Sequence, residues 1–169
     1  MTATGPAAGQ EYVIRAAAEG DLDAIAEFEI EIAKVSFSDE AITDPALHRK
    51  RVTGAMGKPG ETTVVAVAPE APDEPLGWAW LSARTNSLTG ERYGNFRSLA
   101  VADIPDRSHV GELLLAAVLA AAADAGLTQL TGKVHARNLG MRALYRKFGF
   151  EAAHLTMEKR LPGGRQAPP

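Results

Sequence analysis

The chain has no cysteine, which excludes a disulfide framework, a thiolate metal site and a cysteine nucleophile. Histidine is scarce and scattered, at His48, His109, His135 and His154. No pair has metal-ligand spacing, so no metal is assigned. An excess of one charge is also missing. The formal net charge is −3, which leaves no basic footprint for nucleic acid or an anionic membrane. No apolar run reaches the roughly 20 residues needed to cross a bilayer, and the alanine-rich stretch 113–125 is too short. Residues 1–10 lack the basic flank and apolar core of a signal peptide and read as a flexible tail, as do residues 162–169. Together these absences predict a soluble, cytoplasmic protein with neither a membrane nor a nucleic-acid partner.

What remains suits one globular domain: 169 residues, 46% hydrophobic and 23% charged, enough to bury a substantial core. The expected domain spans residues 11–161. Residues 12–15 suit a short strand, and the spacing of Leu22, Ile25, Phe28 and Ile32 predicts a helix with one buried stripe. Asp44-Pro45 is a good helix start, because aspartate caps free amides and proline fits the first turn. That helix should run to Met56 and end at Lys58-Pro59-Gly60. The β-branched run 62–67, the turn-rich 69–75 and the run 76–82 predict an antiparallel hairpin.

A turn at Thr89-Gly90 leads to a strand at 95–101, followed by a polar loop at 102–108. A helix over about 110–125 and a strand over 129–135 imply a parallel pair joined by a crossover. Asn138 can cap the next helix, whose Met141, Leu144, Tyr145 and Phe148 share a face, and Gly149 supplies its left-handed stop. Residues 151–161 would return as a final strand. The expected fold class is α+β, a single mixed sheet with antiparallel N-terminal strands, a parallel pair and helices on both faces.

Chemistry concentrates between Gly94 and Phe150. A strand that breaks into a polar loop before a helix can bind phosphate, because first-turn amides are unpaired and the helix dipole is positive there. Arg107 offers a guanidinium, Ser108 a hydroxyl and Gly111 a close backbone approach; alone, these also read as a solvated charge and a helix start. Asn138 and Tyr145 lie about two turns apart on similar faces. Arg142, Arg146 and Lys147 read as solvated or as contacts for an anionic ligand. Trp78 and Trp80 share a sheet face, and with Tyr93 they would shape either core or an acceptor pocket.

The two segments 97–114 and 138–150 together resemble the GNAT superfamily of acetyl-CoA-dependent N-acetyltransferases. The second, with Asn138 and Ala143-Leu144-Tyr145-Arg146-Lys147-Phe148-Gly149-Phe150, is the stronger match. The resemblance implies acetyl-CoA as cofactor, held along Leu99, Ala100 and Val101, with Arg107, Ser108, His109, Val110, Gly111 and Glu112 around the pyrophosphate and Asn138 on the pantetheine arm. It further implies that strand amides near Leu99 stabilise developing negative charge and that Tyr145 protonates the departing thiolate. Glu91 is the leading candidate for the base.

The chain departs from the family loop by carrying Asp106 and His109 where glutamine or arginine and glycine are usual. The implied acceptor is an amine of a small molecule or protein, its identity not legible, and a homodimer is an open assembly. Two alternatives stand beside this one: a non-catalytic acyl-CoA-binding regulatory domain with a drifted loop, and an α+β interaction domain that binds no CoA.

Overall fold

The computed structural model describes residues 11–163. A short strand β1, Val13–Ala16, is followed by two helices, α1 at Leu22–Phe37 and α2 at Pro45–Ala55. Strands β2 (Glu61–Val67), β3 (Gly77–Thr85) and β4 (Arg92–Val101) come next. Helix α3 (Arg107–Asp124), strand β5 (Leu130–Gly132) and helix α4 (Leu139–Lys147) complete the order. The five strands form one sheet in the order β1-β2-β3-β4-β5. The first three pairings are antiparallel and β4-β5 is parallel. Among the described residues no helix is long and apolar enough to cross a membrane.

Local chemistry explains several of these boundaries. The Asp44 carboxylate accepts from the Ala46 amide at 3.0 Å, with Pro45 in the first turn of α2. Asn138 caps α4 by accepting from the Met141 amide at 3.1 Å. Gly149 takes the predicted left-handed conformation, φ 82°, where α4 stops.

Alternation along the strands builds two cores, one on each face of the sheet. On one face Val65, Val67, Trp78 and Trp80 pack against Leu22, Ile25 and Val52 of α1 and α2. On the other Ala66, Ala79, Leu81 and Phe96 pack against Val110, Leu114, Leu115 and Val118 of α3 and Tyr145 of α4. Each buried indole N–H is satisfied by a carboxylate: Trp78 donates to Glu29 at 2.7 Å and Trp80 to Glu61 at 2.8 Å.

Four expectations need correction. The fourth strand starts at Arg92 rather than Asn95, because it pairs with β3 as far as Thr85↔Arg92. Helix α3 starts at Arg107 rather than near Val110, so Arg107 and Ser108 belong to its first turn instead of to the preceding loop. β5 is cut to residues 130–132, since β4 lies beside it only from Gly94 to Phe96. Residues 151–161 form no strand: they run without a ladder, and Leu155 and Met157 are each 87% exposed. A three-residue β5 offers too short an edge for another strand to pair along.

At the start of α1, Asp21 is buried and accepts both Arg15 guanidinium nitrogens, at 2.7 and 2.8 Å, and the Ala18 amide at 2.8 Å. The Arg15 hydrogen bond lowers its pKa, burial opposes this, and the net shift is downward from 3.8. A depressed carboxylate stabilises the fold above its unfolded-state value, and that contribution fades as pH falls below it. Asp21→Ala should therefore destabilise the protein by about 2 kcal/mol at neutral pH. Urea unfolding checks this, and the gap to wild type should narrow below pH 3.8.

Candidate active site

The sheet opens at one point, and the candidate site is built around it. Between β3 and β4 the register runs Trp80↔Ser98 and then Leu81↔Phe96, so Arg97 is bulged out of the ladder. On its other edge, β4 pairs with β5 only from Gly94 to Phe96. Beyond the bulge, Leu99, Ala100 and Val101 pair with Ala79, Trp78 and Gly77 on one side and with no strand on the other. Half the backbone polar groups of this segment therefore face an opening between diverging strands, available to a ligand.

The first turn of α3 sits at the end of this segment. The Arg107 amide bonds Ile104 and the Val110 amide bonds Asp106, whereas those of Ser108 and His109 find no backbone acceptor among the described residues. Arg107, Ser108 and His109 are exposed, and Val110 and Gly111 are buried. A Cβ on Gly111 would lie 3.8 Å from both Val101 and Leu144, ordinary contact distances. The glycine is thus not demanded by the protein's own packing, but it marks where β4, α3 and α4 converge. Glu112 forms an ion pair with Lys147, which ties α3 to α4.

Asp106, the unfavourable residue in this turn, is partly occupied. The Tyr12 hydroxyl donates to its carboxylate at 2.7 Å, and the Tyr12 ring lies 6.2 Å from that of His109. The bond to Asp106, with burial, pushes the Tyr12 phenol up to about 12. Tyr12 therefore keeps its proton and screens one carboxylate oxygen.

Tyr145 occupies the opposite wall. It is buried, edge-on to Phe96 at 6.1 Å and beside Phe150 at 4.6 Å. Burial raises its phenol well above the ordinary range, so it stays protonated at any physiological pH. The hydroxyl makes no hydrogen bond among the described residues and lies against Gly132 of β5, where an added Cβ would stand 2.2 Å from the phenolic oxygen. Asn138 caps α4 about 10 Å back along the helix from Tyr145. Its carbonyl oxygen is used in the cap, and its amide N–H groups are left for other partners.

Not every expected residue reaches the cleft. Glu91 is exposed in the turn before β4, eight residues from Leu99 and so about 26 Å away along the strand. Tyr93 lies at that same end, opposite Arg84. Arg142 donates to the Ala136 carbonyl, and Arg146 is exposed. Conversely, Arg97, Gly132 and Tyr12 were not singled out from sequence. Only Arg97 carried a signal, a charged residue interrupting the apolar alternation of β4. Unpaired strand edge, free helix amides and an unpartnered phenol suit a ligand with an acyl carbonyl, an extended arm and phosphates.

The class these elements define is the single-domain α+β acyltransferase fold. A family model described as the Acetyltransferase (GNAT) family matches residues 22–150, and the chain belongs to that family. A comparison with curated proteins finds no match.

Solved structures share the fold at low identity. A putative acetyl transferase from Pyrococcus furiosus is 19% identical with a TM-score of 0.72, covering 89% of this chain and 100% of its own. The aminoglycoside N-acetyltransferase AAC(6')-Iy in complex with CoA is 16% identical with a TM-score of 0.71, covering 91% and 97%. A transcriptional regulator from Bacillus halodurans C-125 is 15% identical with a TM-score of 0.73, covering 89% and 100%.

Proposed function

We propose that the protein is an N-acetyltransferase that moves an acetyl group from acetyl-CoA to a primary amine of a small molecule or protein. The observation that carries this is Tyr145: a buried ring whose protonated hydroxyl keeps some solvent access and has no hydrogen-bond partner among the described residues, set where β5 ceases to pair with β4. Acetyl-CoA supplies an activated thioester. The backbone of Leu99 to Val101 would hold its acyl end and stabilise negative charge on the carbonyl oxygen. The free amides of Ser108 and His109, with Arg107 and the close approach at Gly111, would hold the phosphates. Asn138 would hold the arm through its amide N–H groups, and Tyr145 would give its proton to the leaving sulfur.

An amine of pKa about 10.4 must first shed a proton. Glu91 is too far along the strand for that, and we assign the step to water at the open side of the cleft. The neighbouring fold described as a transcriptional regulator and the acidic Asp106 at the mouth favour the non-catalytic alternative.

Calorimetry with acetyl-CoA, followed by thiol release across a panel of amines, separates the two. Saturable binding with amine-dependent thiol release is the expected result. Binding without thiol release would favour a regulatory domain, and no saturable binding would remove both.

A further inference from the structure

On the sheet face away from Tyr145, a cavity of about 540 Å³ opens beside the bulge, between α2 and the sheet. It is lined by Lys50, Arg51, Lys58, Arg97, Glu61 and Trp80, among others. The charges do not balance. Arg51 is engaged by Glu29. Glu61 accepts from Trp80, Ser82 and Arg84, which outweigh the upward push of its burial and hold it ionised. Lys50, Lys58 and Arg97 have no ion-pair partner among the described residues.

Arg97 is also pre-positioned. Its guanidinium lies 3.8 Å from the centroid of the Trp80 ring, which holds the planar fork without using its donors. Burial lowers its pKa, and the nearby Arg51 and Arg84 charges add to that against the opposing pull of Glu61 and Glu29. Three cations without an ion-pair partner around one concavity, in a chain of net charge −3, outnumber the carboxylates near them and favour an anion there.

We infer that this cavity takes the acceptor, and that the acceptor is a small amine that also carries an oxyanion, a carboxylate or a phosphate, gripped by Arg97 with Lys50 and Lys58. This names the substrate class of the activity proposed above and rests on it. The placement fits. Arg97 is the bulged residue where β4 leaves β5, and Leu99 is only two residues on, about 6.6 Å along the strand. An oxyanion on Arg97 thus leaves an amine a few bonds away at the open end of the strand. The acceptor would approach from the α1/α2 face, while Tyr145 works from the other.

The test is titration of the protein without acetyl-CoA, by tryptophan fluorescence and calorimetry, with matched ligands. Free amino acids are set against their amides, and phosphoethanolamine against ethanolamine. Trp80 beneath Arg97 is the reporter. The charged member of a pair should bind at least about 10-fold more tightly, and the carboxylate and phosphate arms show which oxyanion fits. Arg97→Gln should remove that preference while leaving acetyl-CoA affinity intact. Lys50→Gln and Lys58→Gln, surface changes that spare the strand, should each weaken it in part. With acetyl-CoA present, thiol release should follow the same order.

Equal binding of charged and neutral partners, or an Arg97→Gln protein that binds and folds as wild type does, would overturn the inference. So would turnover that ignores the oxyanion. Oxyanion binding with no acetyl-CoA binding at all would instead remove the acetyltransferase function and leave an anion-binding cavity.

Discussion

Tyr145→Phe is expected to lower turnover by about 100-fold or more while leaving acetyl-CoA affinity nearly unchanged. General acid assistance contributes roughly 10²–10⁴ to typical rates, which sets the size of the effect. The selectivity follows from how the side chain is held. Its ring is fixed by Phe96 and Phe150, and phenylalanine keeps those contacts. Its hydroxyl has no hydrogen-bond partner to lose among the described residues, so the fold should not weaken. Because burial holds the phenol well above its ordinary value, wild-type activity should not fall through its ionisation near pH 10. Steady-state kinetics with calorimetry decide the matter, and normal turnover in the Tyr145→Phe enzyme would end the assignment.

Gly132→Ala should damage both stability and turnover. The added methyl would stand 2.2 Å from the Tyr145 oxygen and 2.7 Å from its Cζ, far inside contact distance. Either the ring or β5 must move. Overpacking of this kind costs about 1–3 kcal/mol. Turnover should fall about 10-fold or more, since general acid work depends on the proton lying within hydrogen-bond reach. Introducing Gly132→Ala into the Tyr145→Phe background separates the causes: with the oxygen gone, the stability loss should shrink and little activity should remain to lose. Thermal unfolding and rates of the four proteins form the cycle. Equal losses in both backgrounds would show that the methyl acts elsewhere.

Sequence alone placed the parts of this molecule that depend on neighbours a few residues apart. The Asp44 and Asn138 caps, the Met141 to Phe148 stripe, the Gly149 stop and the shared face of Trp78 and Trp80 all follow from helical or strand periodicity. The segment to which the family resemblance assigns the cofactor, Leu99 to Gly111, was legible as a strand that breaks before a helix because it is one continuous stretch of chain. The Arg97 bulge was not, because it is an event of register between two strands. The cavity beneath it needs α2, the start of β2 and the middle of both β3 and β4, which no spacing in the chain announces. Residues 151–161 failed in the opposite sense. Their alternation of Leu155 and Met157 reads locally as a strand, but pairing requires an edge, and β5 is too short to supply one.

The two cores, each sealed against its own pair of helices, have a consequence for how such a protein diversifies. Side chains of α2 that border the cavity touch one layer of the sheet, whereas α3 and α4 brace the other, so changes in the first need not be felt in the second. On the acceptor assignment proposed above, preference for one amine over another would drift through surface positions such as Leu47 and Lys50 without disturbing the face where the donor is proposed to bind.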